Sequence, residues 1–405
     1  MKRIFSIFLT VLFAIIFSSC GDEEARVERK ADKIHRAILT VDTHCDTPMR
    51  LMRSGFDLGV RNEDGCVDFP RMEEGGLDAE FFAVFIGQGP RNEDAYKDAY
   101  DRTVAIFEKI YENVEKNSGM AELAFTVDDA YRIKKSGKRI VFIGVENGYP
   151  VGKDLEKVEE FYSRGARYIT LSHSRNNDIC DSSTDNAGPE HNGLSAFGEE
   201  VVKEMNRLGM MVDVSHISDE AFYDVIEVSS APVIASHSSC RALCESPRNL
   251  DDDMLLALKE NGGVIQICIL SSYIKQPEPN PVLEEKIAEV REKYNDFEGL
   301  SEEEFEQARR EYYQVRDKYR KLATVEDAVD HIDHVVQLIG IDHVGIGTDF
   351  DGGGGIEGVM DVSQMKNITH ELIRRGYSRS EIEKIWSGNI MRVLRENEKL
   401  AEETV

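Results

Sequence analysis

The sequence predicts an α/β protein that folds as a (β/α)8 TIM barrel, with a charged helical insertion between strand seven and strand eight. Three observations support this fold. Eight short apolar runs recur along the chain, and they are nearly continuous rather than alternating, as in parallel strands buried on both faces. Amphipathic helical stretches separate these runs. An open doubly wound sheet is the alternative, but the glycine run at 352–355 belongs to neither a GxGxxG turn nor a Walker motif.

Helical connectors are predicted after most of the strands, and some of them have clear boundary signals. The predicted strands span residues 38–44, 79–87, 139–146, 167–173, 210–216, 232–237, 263–269 and 343–349. The predicted helices span residues 94–116, 154–164, 195–208, 218–228, 251–260, 324–339 and 378–397. Ser218 before Asp219 and Glu220 is a typical N-cap, and Gly209 is a typical C-cap. This alternation predicts a closed parallel barrel.

The segment at residues 277–321 does not follow the strand–helix repeat. It opens with the run PEPNP and continues as a highly charged stretch. Its composition predicts one or two solvated helices, arranged as a hairpin broken near residues 295–299. A surface elaboration is one interpretation. A lid or a contact in a homodimer is the other, because loops that follow barrel strands open on the catalytic face.

The composition limits the classes of function. Hydrophobic residues make up 41% of the chain and charged residues 31%, which allows a packed core. The net charge of −27 argues against nucleic-acid binding, since phosphate recognition needs clustered Lys and Arg. No CxxC pair occurs, so we expect mostly free, buried thiols at Cys45, Cys66, Cys180, Cys240, Cys244 and Cys268.

The amino terminus has the pattern of a targeting segment. Lys2 and Arg3 precede an apolar stretch at 4–17, which is too short for an ordinary membrane-spanning helix. A small-residue pair before Cys20 is typical of a bacterial lipoprotein signal. We therefore expect a signal peptide at 1–20 with lipidation at Cys20, an acidic tether at 21–33 and the barrel at 34–398. The expected location is the cell envelope, on the periplasmic or surface side of a membrane. A plain signal peptide or an uncleaved anchor is the alternative.

Acid and imidazole side chains end several of the apolar runs. A buried carboxylate or imidazole at a strand end is costly unless it is paired or bound to metal. A parallel barrel gathers the carboxyl ends of its strands at one rim, and imidazole with carboxylate ligands suits Zn²⁺. The pattern predicts a metal-dependent hydrolase that uses His44, Asp46, Glu146, His216, His237 and Asp349.

The spacing suggests how these residues could share metal ions. His44 and Asp46 lie two residues apart, on the same side of an extended segment, so both can reach one ion. A histidine paired with its neighbouring carboxylate is the alternative. Glu146 could bridge two ions or cap a loop. His216 and His237 end successive predicted strands, which places both imidazoles on one rim.

Three further residues could act on a substrate. Asp349, beside the glycine run, could exchange protons with a metal-activated water or simply cap the turn. His173, at the end of the fourth predicted strand, could stabilise an oxyanion or act as a ligand. Arg248 could hold a substrate carboxylate or be a surface residue. His35 and His370 are predicted to be exposed.

Taken together, the motifs resemble the membrane (renal-type) dipeptidases of the metal-dependent amidohydrolase superfamily. The matching segments, over about residues 34–395, are VDTHCDTP, GCVDFPRMEEGGLDAEFFAVF, IGVENG, ITLSHSRNN, NRLGMMVDVSH, VIASHSS, SPRNLDDDML and GTDFDG. The resemblance implies a binuclear zinc enzyme. It implies that His44 and Asp46 bind the first zinc, His216 and His237 the second, and that Glu146 bridges them.

The resemblance also implies the remaining roles. His173 would contact substrate and stabilise the tetrahedral intermediate, Arg248 would hold the terminal carboxylate of a dipeptide, and Asp349 would be the catalytic acid and base. Two departures bear on side-chain preference. An Asn-Phe-Tyr run of the family is replaced by 268–270, which reads Cys-Ile-Leu, and the insert at 277–321 is extra. The chain ends without a hydrophobic tail, so the expected anchor is Cys20.

The resulting hypothesis is a lipid-anchored zinc dipeptidase in which a metal-bridging hydroxide attacks the peptide carbonyl. The substrate would be a dipeptide with a free carboxyl terminus. An N-acyl amino acid deacylase or lactonase on the same site is the alternative enzyme. A non-enzymatic binding barrel is a third interpretation, but it would predict missing ligands, and all are present.

Overall fold

Eight parallel strands form a nearly closed barrel, as the sequence predicts. The computed structural model describes residues 24–53, 55–297 and 300–404. In chain order the strands are β1 (Val41–Cys45), β2 (Ala79–Phe85), β3 (Ala121–Leu123), β4 (Arg139–Glu146), β5 (Ala166–Thr170), β6 (Met211–Asp213), β7 (Ile234–Ser238), β8 (Val264–Ile267) and β9 (Val344–Ile346). Hydrogen bonds join them in the order β1-β2-β4-β5-β6-β7-β8-β9.

The barrel closes where the chain beyond β9 meets β1. The Asp349 N–H donates to the His44 carbonyl at 3.0 Å, and the Asp46 N–H donates to the Phe350 carbonyl at 2.8 Å. All eight predicted strands are present. The sequence did not predict β3, which pairs with the first residues of β4, below the point where β5 joins.

Helices alternate with the strands, and their ends carry side-chain caps. The helices are α1 (24–37), α2 (Pro48–Leu51), α3 (Phe69–Gly75), α4 (Glu93–Lys116), α5 (Val127–Ser136), α6 (Glu156–Ser163), α7 (Ala196–Leu208), α8 (Asp219–Val228), α9 (Asp252–Asn261), α10 (Ser271–Ile274), α11 (Pro281–Lys293), α12 (Glu302–Tyr319), α13 (Val325–Ile339), α14 (Lys366–Arg374), α15 (Arg379–Glu383) and α16 (Asn389–Thr404). As predicted, Ser218 caps α8, accepting from the Ala221 N–H, and left-handed Gly209 ends α7.

Two large apolar clusters stabilise the barrel. The first cluster contains residues from seven successive barrel strands and therefore fills the barrel interior. The stacked rings of Phe81, Phe142 and Tyr168 belong to this cluster. Residues of α16, including Ile390 and Leu394, join this cluster. The other cluster lies between the sheet and the surrounding helices. A barrel packed on both faces explains why its strands are continuous apolar runs.

The insert at 277–321 is a hairpin of α11 and α12 with a small core of its own. Val290, Tyr294 and Ala308 form this core, separate from the two barrel clusters. A 3-10 turn at Asn295–Phe297 follows α11, at the predicted break. Ser301 and Glu304 form a capping box at the start of α12. The hairpin is therefore a separate element that is joined to the barrel by the chain segments before α11 and after α12.

The amino-terminal boundary differs from the prediction of a tether up to residue 33. Residues 24–37 form helix α1, and Ala31 and Ile34 are buried in the outer cluster of the barrel. The helix is amphipathic enough to dock on the domain, so the ordered fold begins before residue 34. The predicted signal peptide at 1–20 and the lipidation residue Cys20 lie outside the described residues.

The cysteines agree with the prediction of free thiols. All six described cysteines are unpaired, and each except the half-buried Cys66 is buried. Among the described residues, no helix has the length and apolar character needed to cross a membrane.

Candidate active site

The predicted site residues converge at the carboxyl ends of the barrel strands. His44 lies in β1, Glu146 ends β4 and His237 lies in β7, while Asp46, His173, His216 and Asp349 follow β1, β5, β6 and β9 within a few residues. All of them except His44 line a cavity of about 210 Å³, together with Arg248, Leu270 and Tyr273. The geometry thus brings together residues that are as far as 305 positions apart in the chain.

Glu146 lies at the centre of the cluster. Its Oε1 atom is 3.1 Å from His216 Nε2, 3.5 Å from His237 Nε2 and 3.6 Å from His173 Nε2. Its Oε2 atom is 3.6 Å from His44 Nε2. Two groups of possible metal ligands share this carboxylate, one with His44 and Asp46 and the other with His216 and His237.

His44 and Asp46 form one side of the cluster, and both are buried. His44 Nε2 is 3.9 Å from Asp46 Oδ2. On the opposite edge of the ring, His44 Nδ1 is 2.9 Å from the Tyr168 hydroxyl, which itself donates to the Thr43 carbonyl. The hydroxyl therefore accepts from Nδ1–H, and Nε2 is the ring nitrogen that faces the carboxylates of Glu146 and Asp46.

His216 and His237 form the other side, with their Nε2 atoms 2.8 Å apart. His237 Nδ1 lies 2.8 Å from the Ser236 hydroxyl, which donates to Asp213 Oδ2 at 2.6 Å. Asp213 also accepts from the backbone N–H groups of Ser215 and Ser236. This chain of hydrogen bonds orients the imidazole so that its other nitrogen, Nε2, faces Glu146 and His216.

The backbone at the site is held in unusual conformations. Asn147, His216, Asp349 and Asp351 all have positive φ, between 60° and 77°. Such conformations are costly for residues other than glycine and cluster at functional sites. The Asp349 carbonyl accepts from the N–H groups of 352–354, which holds its turn in place. Asp349 and His216 therefore project from fixed turns rather than from flexible loops.

Burial and charge shift the acid–base properties of the cluster. Burial raises the pKa of Asp349 to about 7; the charge of His44 opposes this shift, and the charge of Glu146 adds to it. Burial lowers the pKa of His44, but the carboxylates of Glu146 and Asp46 more than compensate and raise it to about 10. Burial holds the pKa values of His216 and His237 well below 6.5. The carboxylates thus create a negative potential that a bound cation would neutralise.

His173 and Arg248 lie on the rim around the cluster. The His173 ring lies at a tilt beside the His216 ring, with centroids 4.2 Å apart, and packs edge-on against Phe85. The buried Arg248 donates to the His237 carbonyl at 3.2 Å, and its guanidinium lies 5.4 Å from the centre of the Tyr273 ring. Both side chains can thus approach a ligand that occupies the cavity.

Sequence reasoning missed several residues that support the site. Tyr168 contacts the His44 imidazole, Ser236 and Asp213 orient that of His237, and Tyr273 packs against Arg248. Gly352 touches both Asp46 and Asp349, since a Cβ at this position would overlap with their carboxylate oxygens. The run of four glycines after Asp349 was a signal that could have identified Gly352 as a close-approach position.

Comparisons with known proteins agree on one family. The family model described as membrane dipeptidase, peptidase family M19, matches residues 28–405. The dipeptidase tcpJ of Claviceps purpurea is 36% identical over 373 residues, covering 89% of this chain and 77% of its own. Human dipeptidase 3 is 30% identical over 385 residues, covering 93% of this chain and 68% of its own. The crystal structure of the probable dipeptidase PvdM from Pseudomonas aeruginosa, 30% identical, superposes with a TM-score of 0.82 over 93% of this chain and all of its own.

Proposed function

Because the chain belongs to the membrane dipeptidase family, peptidase family M19, we propose that it hydrolyses dipeptides with a free carboxyl terminus at a centre of two zinc ions. The observation that carries this proposal is the position of Glu146. Its carboxylate is common to two groups of potential ligands whose donor atoms all lie within 4.8 Å of one another in each group. One carboxylate shared by two such groups is the arrangement that a bridged pair of ions requires.

The donor atoms fit zinc. His44 and Asp46 would hold one ion and His216 and His237 the other, with Glu146 between them. His44 Nε2 and Asp46 Oδ1 are buried and have no hydrogen-bond partner, which is costly unless a cation occupies the space beside them. Neutral imidazole and carboxylate oxygen are the ligand types of catalytic zinc sites. When bound, zinc lowers the pKa of water and polarises a carbonyl.

The protein's own groups would bind the substrate and move the protons. Arg248 would hold the terminal carboxylate of the dipeptide in the cavity, which limits the length of peptide that fits. His173 would donate a hydrogen bond to the oxygen of the tetrahedral intermediate. Asp349 would take a proton from the attacking water and pass it to the leaving amine. The position of the Asp349 carboxylate supports this role, because it lies beside His44 and His237. The fixed turn of Asp349 holds the carboxylate in this position.

The test is hydrolysis of a dipeptide panel by the purified protein, before and after chelation. We expect activity on dipeptides, loss with the chelator and recovery with Zn²⁺. His216→Ala should lower kcat/KM by at least about 100-fold, because it removes a ligand. His334→Gln is the matched control, since His334 pairs with Asp252 on the surface. N-acyl amino acids and lactones belong in the same panel. Faster hydrolysis of these, or activity unaffected by both chelator and His216→Ala, would contradict the proposal.

We also propose that the protein is anchored to a membrane through a lipid on Cys20. The support is the sequence pattern around Cys20, with basic residues, a short apolar stretch and a small-residue pair before it. The wild-type protein should partition into the detergent phase after expression in a bacterium, and Cys20→Ala should remain in the aqueous phase. Equal partitioning of the two would contradict lipidation.

A further inference from the structure

Helix α1 carries a face of basic side chains that points away from the barrel. The buried side of the helix, which includes Ala31 and Ile34, packs on the outer cluster. The basic residues of the helix are all exposed, and they are Arg26, Arg29, Lys30, Lys33 and Arg36. At about 100° per residue they occupy an arc of about 120°, roughly opposite the buried side. We call this surface the basic face of α1.

The acidic residues of the same helix lie on a different side, toward α14. They recur every four residues, which places them in one stripe: Glu24, Glu28 and Asp32. Asp32 Oδ1 lies 3.6 Å from Lys366 Nζ and 3.8 Å from His370 Nε2. Glu24 pairs with Arg374. The charges of α1 are therefore sorted, with carboxylates toward the neighbouring helix and cations toward solvent.

The basic face has no partner within the domain. None of its five side chains forms an ion pair or a hydrogen bond with a residue in the described part of the chain. The chain as a whole carries 76 acidic and 49 basic residues, so carboxylates are plentiful elsewhere on its surface. Five exposed cations without a counter-ion create a local positive potential that attracts an anionic surface.

The basic face begins close to the residue that we propose to be lipidated. Only residues 21–23 separate Cys20 from the first residue of α1, Glu24. Even when fully extended, the chain between these two residues spans about 14 Å at most. A lipid on Cys20 would therefore hold the start of α1 close to the bilayer. The link adds two acidic residues, Asp22 and Glu23, against the five cations of the basic face.

We infer that the basic face of α1 lies against the headgroups of anionic lipids in the membrane that holds the anchor. The inference rests on the proposed lipid on Cys20 and adds to it which side of the barrel meets the bilayer. Attraction between basic side chains and anionic headgroups decays over a Debye length of about 8–10 Å. Repulsion from the acidic surfaces on the other sides of the barrel decays over the same length, so the net charge of −27 does not prevent this contact.

The experiment measures the acetylation rates of Lys30 and Lys33 in the full chain, purified from a bacterium and reconstituted into vesicles. One set of vesicles is phosphatidylcholine alone, and the other contains equal parts of phosphatidylcholine and phosphatidylglycerol. We expect both lysines to react at least about 5-fold more slowly on the anionic vesicles, the factor that one basic residue contributes near such a surface. Salt at about 1 M should remove the difference, because it shortens the Debye length to about 3 Å.

The variant Arg26→Gln/Arg29→Gln/Arg36→Gln keeps both lysines as reporters. It should lower the ratio of the two rates to below about 2, because most of the positive charge is gone. The matched control removes the same charge from exposed positions of α4, α11 and α12, as Arg102→Gln/Arg291→Gln/Arg310→Gln. This control variant should keep the wild-type ratio.

Lys203 is the internal control, because its side chain is 61% exposed on α7. That helix precedes β6, which lies four strands from β1 around the barrel. Its acetylation rate should be the same on both kinds of vesicle. Equal rates for Lys30 and Lys33 on the two kinds, equal slowing of Lys203, or a ratio unchanged in the first variant would overturn the inference. Partition of the wild type into the aqueous phase would instead contradict the lipid anchor, and with it the placement of α1 on the bilayer.

Discussion

At the scale of single residues, Gly352 shows how closely the active site is packed around its carboxylates. A Cβ at this position would overlap with Asp46 Oδ2 and Asp349 Oδ1. Gly352→Ala should therefore displace Asp46, a proposed metal ligand, and Asp349, the proposed acid–base residue, together. We expect kcat/KM to fall by at least about 100-fold, because misplacement of reacting groups by an ångström has effects of this size.

The control for this substitution is Gly119→Ala, since a Cβ at Gly119 meets nothing within 4 Å. Its kcat/KM should equal that of the wild type. Thermal unfolding of both variants separates local displacement from general instability. Wild-type kcat/KM in Gly352→Ala would show that the two carboxylates tolerate the methyl group, contrary to the packing described above.

The positions of the proposed metal ligands were predictable from residue type, whereas their supporting residues were not. A His or Glu that ends an apolar run is conspicuous in a sequence, because burial of such a group needs a reason. Asp213 is different, since its role depends on hydrogen bonds to Ser236, 23 residues away, and through it to His237. Tyr168 reaches His44 across 124 positions. These contacts form only in the folded protein, so no local sequence pattern predicts them.

At the scale of elements, α1 is held to the barrel by a buried histidine that the sequence had assigned to the surface. His35 is only 1% exposed. Its Nε2 lies 3.0 Å from the Gly75 carbonyl, and its Nδ1 lies 2.7 Å from the Thr369 hydroxyl. Trp386 donates to the same hydroxyl and packs edge-on against the imidazole. The prediction failed because an isolated histidine in a polar helix carries no local sign of its partners.

This contact makes the stability of the protein depend on pH. Burial lowers the pKa of His35 from 6.5 to about 4, with smaller contributions from Lys134, His370 and Arg36. The unfolded chain then binds a proton that the folded chain does not, so the contribution to stability is complete above pH 6.5. It is lost progressively as the pH falls from 6.5 toward 4. At pH 4.5 the loss amounts to about 2 kcal/mol.

The variant His35→Gln tests this expectation, because glutamine stays neutral over the whole range. Urea unfolding at pH 7 and pH 4.5 gives the free energy of unfolding of each protein at both values. The decrease between them should be smaller for His35→Gln than for the wild type by about 2 kcal/mol. Equal decreases would show that His35 does not contribute to the pH dependence.

Strands and helices whose apolar residues recur with a clear period were predicted from the sequence, and elements without such a period were not. The strands of the barrel and the helices from α4 to α16 that were named from the sequence occur close to their expected positions. The three-residue β3 has no such pattern, because it pairs only with the start of β4. Most of helix α1 falls in the acidic tether that was predicted at 21–33, after Cys20. Its apolar face becomes evident only where it packs on the outer cluster.

At the scale of the whole molecule, we expect the bound metal both to be required for activity and to stabilise the folded protein. The cluster joins residues from both ends of the chain, His44 in β1 and Asp349 after β9. Ions that bind only the folded state stabilise it. We expect two zinc ions per chain by elemental analysis, and we expect a chelator to lower Tm by at least about 5 °C. His216→Ala should retain fewer ions, whereas His334→Gln should retain both. Two ions in His216→Ala, or a Tm unaffected by the chelator, would argue against this centre.

The sequence by itself determined the barrel, the placement of acid and imidazole groups at strand ends and the family to which the chain belongs. These features depend on the spacing of apolar residues and on residue type, and both can be read from the sequence alone. Only the tertiary structure decided that Glu146 stands between two groups of possible ligands and that Gly352 makes room for two carboxylates. Each of these is a distance between residues remote in the chain, and such distances are set by closure of the barrel and packing of its loops.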